Sequence, residues 1–205
     1  MRLLILSLLC LLSTALHAQP GLEDGPEAPV REAAQAMRSR QYIKAEFIYR
    51  SMLDADPTSN TTRQLLSHAL ILQGRYGEAD SINRSIIVKD SNVAGSYWYL
   101  ALSAERQNQY DRAVYLFDRY LAKTQGQATQ NQSAWLHMGS NLRRKMHDKG
   151  INEQEWGLMQ HYYKQYLSGN PPDPYVDSLY AFLDEVRRRR PSPGALLRWD
   201  ESGSE

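Results

Sequence analysis

The residues of this chain best suited to metal chemistry lie close together between positions 145 and 155. Imidazole nitrogens and carboxylate oxygens are common metal ligands, and this group contains both. Its members are His147, Asp148, Asn152, Glu153 and Glu155. Their spacing matches neither the HExxH pair of zinc hydrolases nor the ligand positions of a calcium loop. We therefore interpret residues 145–155 as an enlarged, solvated turn or as extended helix ends, and a metal-dependent enzyme using this insertion stays as an alternative.

No other stretch carries a motif for catalysis or for a cofactor. The remaining histidines, His68, His137 and His161 among them, do not combine with cysteine into a zinc quartet, because Cys10 is the single cysteine of the chain. Serine-nucleophile and phosphate-binding glycine motifs need a strand-to-helix context, and no strand pattern is present to supply one. The sequence predicts a protein that is not an enzyme and that binds neither a cofactor nor a metal.

Charge gives little indication of a partner. The formal net charge is +1, which provides no general attraction to nucleic acid. The one dense run consists of Arg187, Arg188, Arg189 and Arg190. We interpret it as the cationic C-terminal end of a helix, where it complements the macrodipole. Weak contact with anionic lipid or with an acidic partner is the alternative.

The N-terminal residues indicate export. Residues 1–18 place Arg2 before an apolar run and small residues after it, which is typical of a secretory signal peptide cleaved after Ala18 or after Ala15. Lipid anchoring through Cys10 is disfavoured because Leu8 and Leu9 precede it instead of a small residue. We predict a periplasmic protein in which residues 19–28 form a flexible leader.

A short sequence pattern recurs along the chain. Gly74, Tyr76 and Ala79 lie in a stretch that has the pattern of a complete helical hairpin. Stepping 34 positions in either direction returns the same tyrosine and alanine, at Tyr42 and Ala45 and at Tyr110 and Ala113. A period of this length with two short helices in each unit is typical of helical repeat arrays, and the chain resembles the tetratricopeptide repeat family.

The resemblance implies an all-α fold, a right-handed superhelical array of about four helical hairpins closed by a C-terminal capping helix. The repeat domain covers residues 29–190, with units near 26–59, 60–93, 94–127 and 132–173 and the capping helix at 174–190. In the fourth unit Met159 replaces the small alanine, and the chain is about eight residues longer than the period allows. Residues 191–205 are predicted to be disordered, and docking of Leu196, Leu197 and Trp199 onto another surface is the alternative.

The resemblance also implies where a partner binds. In this family the first helices of successive hairpins line a concave groove. The matching positions in this sequence are Val30, Ala34, Met37, Gln64, His68, Ile71, Trp98, Leu102, Glu105, Leu136, Ser140 and Arg143, with Arg106 and Arg144 adjacent. They form a mainly apolar strip with arginines towards its C-terminal end. For Trp98 two interpretations stay open, an exposed binding hot spot and packing between adjacent repeats.

These observations favour an adapter that holds a partner peptide or helix in the groove, during assembly of a pilus, a secretion system or the cell envelope. A periplasmic holdase that shields several unfolded clients is the alternative. No segment after the signal peptide is long and apolar enough to span a membrane.

Overall fold

The computed structural model describes residues 27–124, 128–172, 174 and 176–199. Within these ranges the chain forms nine α-helices. They are α1 (Ala28–Arg38), α2 (Tyr42–Ala55), α3 (Asn60–Leu72), α4 (Tyr76–Lys89), α5 (Ala94–Arg106), α6 (Tyr110–Lys123), α7 (Ala128–Asp148), α8 (Glu153–Ser168) and α9 (Val176–Arg188). The first eight pair into four antiparallel hairpins, as the sequence predicts. The predicted signal peptide and most of the predicted leader lie outside the described residues.

The hairpin turns repeat with the sequence period because each needs a left-handed residue. Arg40, Gly74 and Asn108 have φ values of 57°, 79° and 55° and stand 34 positions apart. One residue later the amide of Gln41, Arg75 or Gln109 donates to the carbonyl five positions earlier, which closes the end of the first helix. Glycine adopts this backbone without strain, whereas arginine and asparagine do so at a cost.

Close helix crossings explain the repeated alanines. Ala45, Ala79 and Ala113 are each 0 % exposed at the points where the two helices of a hairpin meet. The buried apolar side chains form two clusters, one in the first two hairpins and a larger one from α5 to α9. Leu102 packs against both clusters and therefore joins the two parts of the core.

The fourth hairpin accommodates its extra residues by lengthening α7 as far as Asp148, so residues 145–155 are extended helix ends around a tight turn, one of the two predicted arrangements, and not an enlarged loop. Gly150 takes the left-handed position with a φ of 85°, and Ile151 beside it is buried. Met159 is buried at the crossing that alanine occupies elsewhere. The close approach moves to Gly139, where an added Cβ would lie 2.8 Å from the Tyr163 ring.

Polar groups also stabilise the array between neighbouring units. Glu46 on α2 accepts hydrogen bonds from Arg75 at 2.7 Å and from Gln73 at 2.9 Å, and Arg50 pairs with the same carboxylate. Burial alone would raise the pKa of Glu46, but these donors hold it below its usual value. The buried carboxylate therefore fastens α2 to the turn between α3 and α4.

The C-terminal helix α9 covers the last hairpin. Phe182 meets the Tyr163 ring edge-on at 5.9 Å between centroids, and the Trp156 indole donates to the carbonyl of Val186 at 3.0 Å. Leu179, Leu183 and Val186 are buried with them in the larger cluster. This contact is the capping arrangement that the sequence predicts.

The prediction that the chain is disordered from residue 191 is wrong for residues 191–199. The backbones of Ile151 and Leu197 form an isolated antiparallel bridge, and Pro191 is buried. The Trp199 ring stacks on Phe182 with 5.8 Å between centroids, and the Arg189 guanidinium lies 4.5 Å from the centroid of the same ring. Apolar side chains of this segment thus pack against the capping helix, although their sequence has no helical periodicity. None of the described helices has the length and hydropathy of a membrane span.

Candidate partner-binding groove

The first helices of the second and third hairpins, α3 and α5, lie side by side. α3 contacts α5 directly, and α5 also packs against α4 and α6. Gln64 on α3 donates to the hydroxyl of Ser96 on α5 at 3.0 Å. Gly95 makes this contact possible, because a Cβ there would lie 2.8 Å from the Gln64 amide oxygen. The Gln64 side chain is therefore engaged in positioning the two helices.

A polar and aromatic group lies one turn further along the same two helices. The rings of His68 and Tyr99 are 5.4 Å apart, and both side chains are half-buried. Burial, and to a smaller degree the charge of Arg106, lower the pKa of the His68 imidazole. Arg106 is exposed and has no ion pair within the part of the chain that the structure describes. We call His68, Tyr99, Leu102 and Arg106 the central groove group.

Trp98 is a packing residue between the third and fourth hairpins. Its half-buried ring lies 5.2 Å from Phe117 and 5.1 Å from Tyr120 on α6. The His137 ring on α7 meets it edge-on at 5.4 Å and stacks on Phe117 at 5.0 Å. Aromatic pairs at these distances contribute beyond their burial alone. Of the two interpretations that the sequence leaves open, the structure favours packing between repeats.

A carboxylate network joins α5 to α7 beside this aromatic cluster. Glu105 Oε2 lies 2.8 Å from His137 Nδ1 and accepts a hydrogen bond from Asn141 at 3.0 Å. Arg144 approaches the other carboxylate oxygen at 3.7 Å and donates to Asn108 at 2.5 Å. Burial alone would raise the pKa of Glu105, but the contacts with His137, Asn141 and Arg144 lower it. The charge of Arg144 is thus partly neutralised within the protein.

The remaining predicted groove positions have different environments. Ile71 is 3 % exposed in the core of the first two hairpins, so a partner cannot reach it and its assignment to the groove is wrong. Arg143 lies 4.0 Å over the Phe182 ring and supports the cap. Val30 is exposed, whereas the other apolar and small positions are half-buried: Ala34, Met37, Leu136 and Ser140.

Two residues of this surface were not predicted from the sequence. Tyr99 lies one position after a groove residue, and its contact with His68 depends on the angle between α3 and α5. The sequence presents His137 only among possible metal ligands, yet it packs against Trp98 and contacts Glu105. The aromatic density of the third hairpin was the available signal for both.

The acidic residues at the α7–α8 turn are engaged in structural contacts. Asn152 and Glu155 form a reciprocal capping box with N–O distances of 2.9 and 3.0 Å. Lys145 donates to Glu155 at 2.5 Å and to Asp111 at 2.6 Å. Within the described ranges no three His, Cys, Asp or Glu side chains are grouped as metal ligands would be.

The arginine run at the end of α9 is paired with acids in the same way. Arg187 lies 3.5 Å from Asp184, and Arg188 and Arg189 lie 3.4 and 2.9 Å from Glu185. Arg190 Nε donates to Glu153 at 2.9 Å. These pairs, four arginines with three carboxylates, support the interpretation of a helix C-terminus.

Comparison with known proteins identifies the fold. TTC0263, a thermophilic TPR protein of Thermus thermophilus, matches with a TM-score of 0.61 and 15% identity, over 80% of this chain and 84% of that chain. The crystal structure of MamA matches with a TM-score of 0.58 and 17% identity, over 77% and 85%. No protein-family signature and no curated protein sequence matches the chain. The chain therefore has the all-α superhelical fold of tetratricopeptide repeat proteins.

Proposed function

We propose that this protein is a non-enzymatic adapter that holds a partner peptide or helix against the central groove group. The observation that carries the proposal is the exposed guanidinium of Arg106, which has no ion pair within the described residues and stands beside half-buried His68 and Leu102. An apolar partner side chain fits against Leu102, and an acidic one meets Arg106. Such a combination of an apolar anchor with a flanking charge is typical of helix and peptide recognition.

The proposed place of action is the periplasm, in assembly of the cell envelope, a pilus or a secretion system. The support is the signal-like order of charge, apolar run and small residues in positions 1–18, together with a repeat fold that commonly presents a binding surface. Fractionation of the host and N-terminal sequencing of the processed chain test this part. A new N-terminus after Ala18 or Ala15 supports export, and an intact Met1 in the cytoplasmic fraction contradicts it.

The adapter role is tested by affinity capture with three baits purified from the host. The wild-type chain should retain one partner in stoichiometric amount, and Arg106→Glu should lose it because the reversed charge repels the partner's acid. Val88→Glu is the matched control, since Val88 is exposed on α4 away from the groove. Retention of many clients by all three baits would favour the holdase, and an unchanged partner on Arg106→Glu would exclude this part of the groove.

A further inference from the structure

The first hairpin leaves one face of α2 uncovered among the described residues. Ile43 and Phe47 are 75 % and 74 % exposed and stand one turn apart on this face. Two large apolar side chains in one exposed row are unusual on a face that contacts nothing. Shallow depressions flank the row, one beside Arg40 and Ile43 and the other between Phe47, Pro29 and Met52. The face therefore has both protruding side chains and recesses that could receive them.

This face is not built to continue the repeat stack. In the second and third hairpins, Leu66 and Leu100 are buried, and Leu100 lines a depression with Ile87 and Val88 of the preceding α4. The corresponding residue of the first hairpin, 34 positions before Leu66, is Glu32, which pairs with Lys44 at 2.9 Å. A carboxylate at this position opposes head-to-tail stacking, because the charge would be buried against an apolar helix.

The charges along the row are arranged so that two copies of the row can form ion pairs with each other. Ile43, Phe47 and Asp54 follow helical spacing on α2, and Arg40 of the preceding turn lines the depression beside Ile43. A basic residue therefore stands at one end of the row and an acidic residue at the other. Neither Arg40 nor Asp54 has an ion pair in the ranges that the structure describes. When two copies of α2 lie antiparallel about a two-fold axis at Phe47, each Arg40 faces the Asp54 of the other copy. A parallel arrangement would place like charges together.

We propose that this face is a self-complementary interface at which a second copy of this chain docks, with the two α2 helices antiparallel. Phe47 of each copy enters the depression bounded by Pro29 and Met52 of the other, and Arg40 and Asp54 form two symmetry-related ion pairs. Two-fold interfaces use the same patch on both subunits, as this arrangement does. The apolar area on one helix is small, so the dimer is in reversible equilibrium with the monomer.

Sedimentation velocity of the processed full chain over a range of concentrations tests the proposal. The wild-type protein should pass from monomer to dimer as concentration rises. Phe47→Lys should raise the dissociation constant at least about tenfold, because it removes the central apolar side chain and brings two charges together. The control is Val88→Lys, which changes another exposed apolar residue, on α4, and should dimerise as the wild type does. Thermal melts should be unchanged for both.

Charge exchange tests the antiparallel register. Arg40→Asp and Asp54→Arg should each weaken the dimer, since each places like charges opposite one another twice. The double variant should restore it, because the two ion pairs then form in the reverse sense. A wild-type chain that stays monomeric at every concentration would overturn the proposal. So would a dimer that survives Phe47→Lys, or a double variant no tighter than the single ones.

Discussion

The backbones of Ile151 and Leu197 exchange two hydrogen bonds, with N–O distances of 2.9 and 2.8 Å, across 46 residues of sequence. The bridge fixes the C-terminal segment against the α7–α8 turn. Two residues further on, Trp199 stacks on Phe182 of the capping helix. The segment after α9 is therefore part of the cap. The longer fourth hairpin provides Ile151, the residue with which this segment pairs.

Deleting residues 191–205 should lower the melting temperature by at least about 5 °C, corresponding to roughly 2 kcal/mol. The deletion removes the bridge to Ile151 and the ring that covers Phe182. Differential scanning calorimetry of the truncated and complete chains measures the effect. Trp199→Ala should reproduce much of it, whereas Leu196→Ala should have little effect because Leu196 is 63 % exposed. Identical melts for the complete and truncated chains would show that the segment does not stabilise the cap.

The array was predictable because its period arises from local sterics that each unit must satisfy. A left-handed turn at Gly74 and a close crossing at Ala79 are short-range requirements, and their repetition reveals the number of hairpins. The contacts of Trp199 with Phe182 and of Leu197 with Ile151 join segments without a shared period. These contacts therefore cannot be predicted from the sequence pattern of either segment alone.

The groove was less predictable than the fold because burial there depends on the neighbouring repeat. Ile71 and Leu102 stand at groove positions of successive units, yet the first is in the core and the second is half-buried. Trp98 occupies a groove position, but His137 of the next hairpin packs against it. The angle between adjacent hairpins decides such cases, and the sequence of one unit does not specify it.

Alanine should have opposite effects at Gly74, in the turn between α3 and α4, and at Gly77, in the first turn of α4. Gly74→Ala should destabilise the fold by about 1 kcal/mol, because Gly74 has a φ of 79°. Gly77→Ala should stabilise it by about 0.5 kcal/mol, since Gly77 lies inside α4 and a Cβ there meets no atom. Chemical denaturation of both variants measures the difference. Destabilisation of equal size at both positions would contradict the assigned backbone conformations.

Ala113→Arg should unfold the third hairpin. Ala113 is 0 % exposed at the crossing of α5 and α6, so arginine must either overpack the core or bury its charge. Overpacking alone costs about 1–3 kcal/mol, and an unpaired buried charge adds to this. The control is Ala122→Arg on the exposed side of the same helix. Circular dichroism melts should show a large loss for the first variant and little change for the second.

Acid should destabilise the protein through Glu46. Its pKa in the folded state is below the usual value of a glutamate, so the unfolded state binds more protons in this range. The stabilisation is present above the unfolded pKa and is lost as pH falls through the folded pKa. Melting temperature measured from about pH 7 to about pH 3 should fall less steeply in Glu46→Gln than in the wild type. Glu27→Gln, at an exposed position, should keep the wild-type slope.

Stability and binding should separate between two residues of the third hairpin. Trp98→Ala should lower stability by about 2–3 kcal/mol, because its ring packs on Phe117, Tyr120 and His137. Arg106→Gln should leave the melt within about 0.5 kcal/mol of the wild type, since the exposed side chain has no ion pair within the described residues. The affinity of the same variant for the captured partner should fall about tenfold or more if the partner's acidic side chain is desolvated on binding.

Calorimetric titration with the partner recovered by affinity capture, run beside a thermal melt, measures both quantities for each variant. The dissociation constant of Trp98→Ala is measured at a temperature where that variant is still folded, so that unfolding is not mistaken for a loss of affinity. Leu102→Ala should lower both stability and affinity. Leu102 joins the two core clusters, and it is only half-buried, so a partner can contact it. If Arg106→Gln binds as tightly as the wild type, the partner contacts another surface. If Trp98→Ala loses affinity without losing stability, its ring contacts the partner directly and the packing interpretation is wrong.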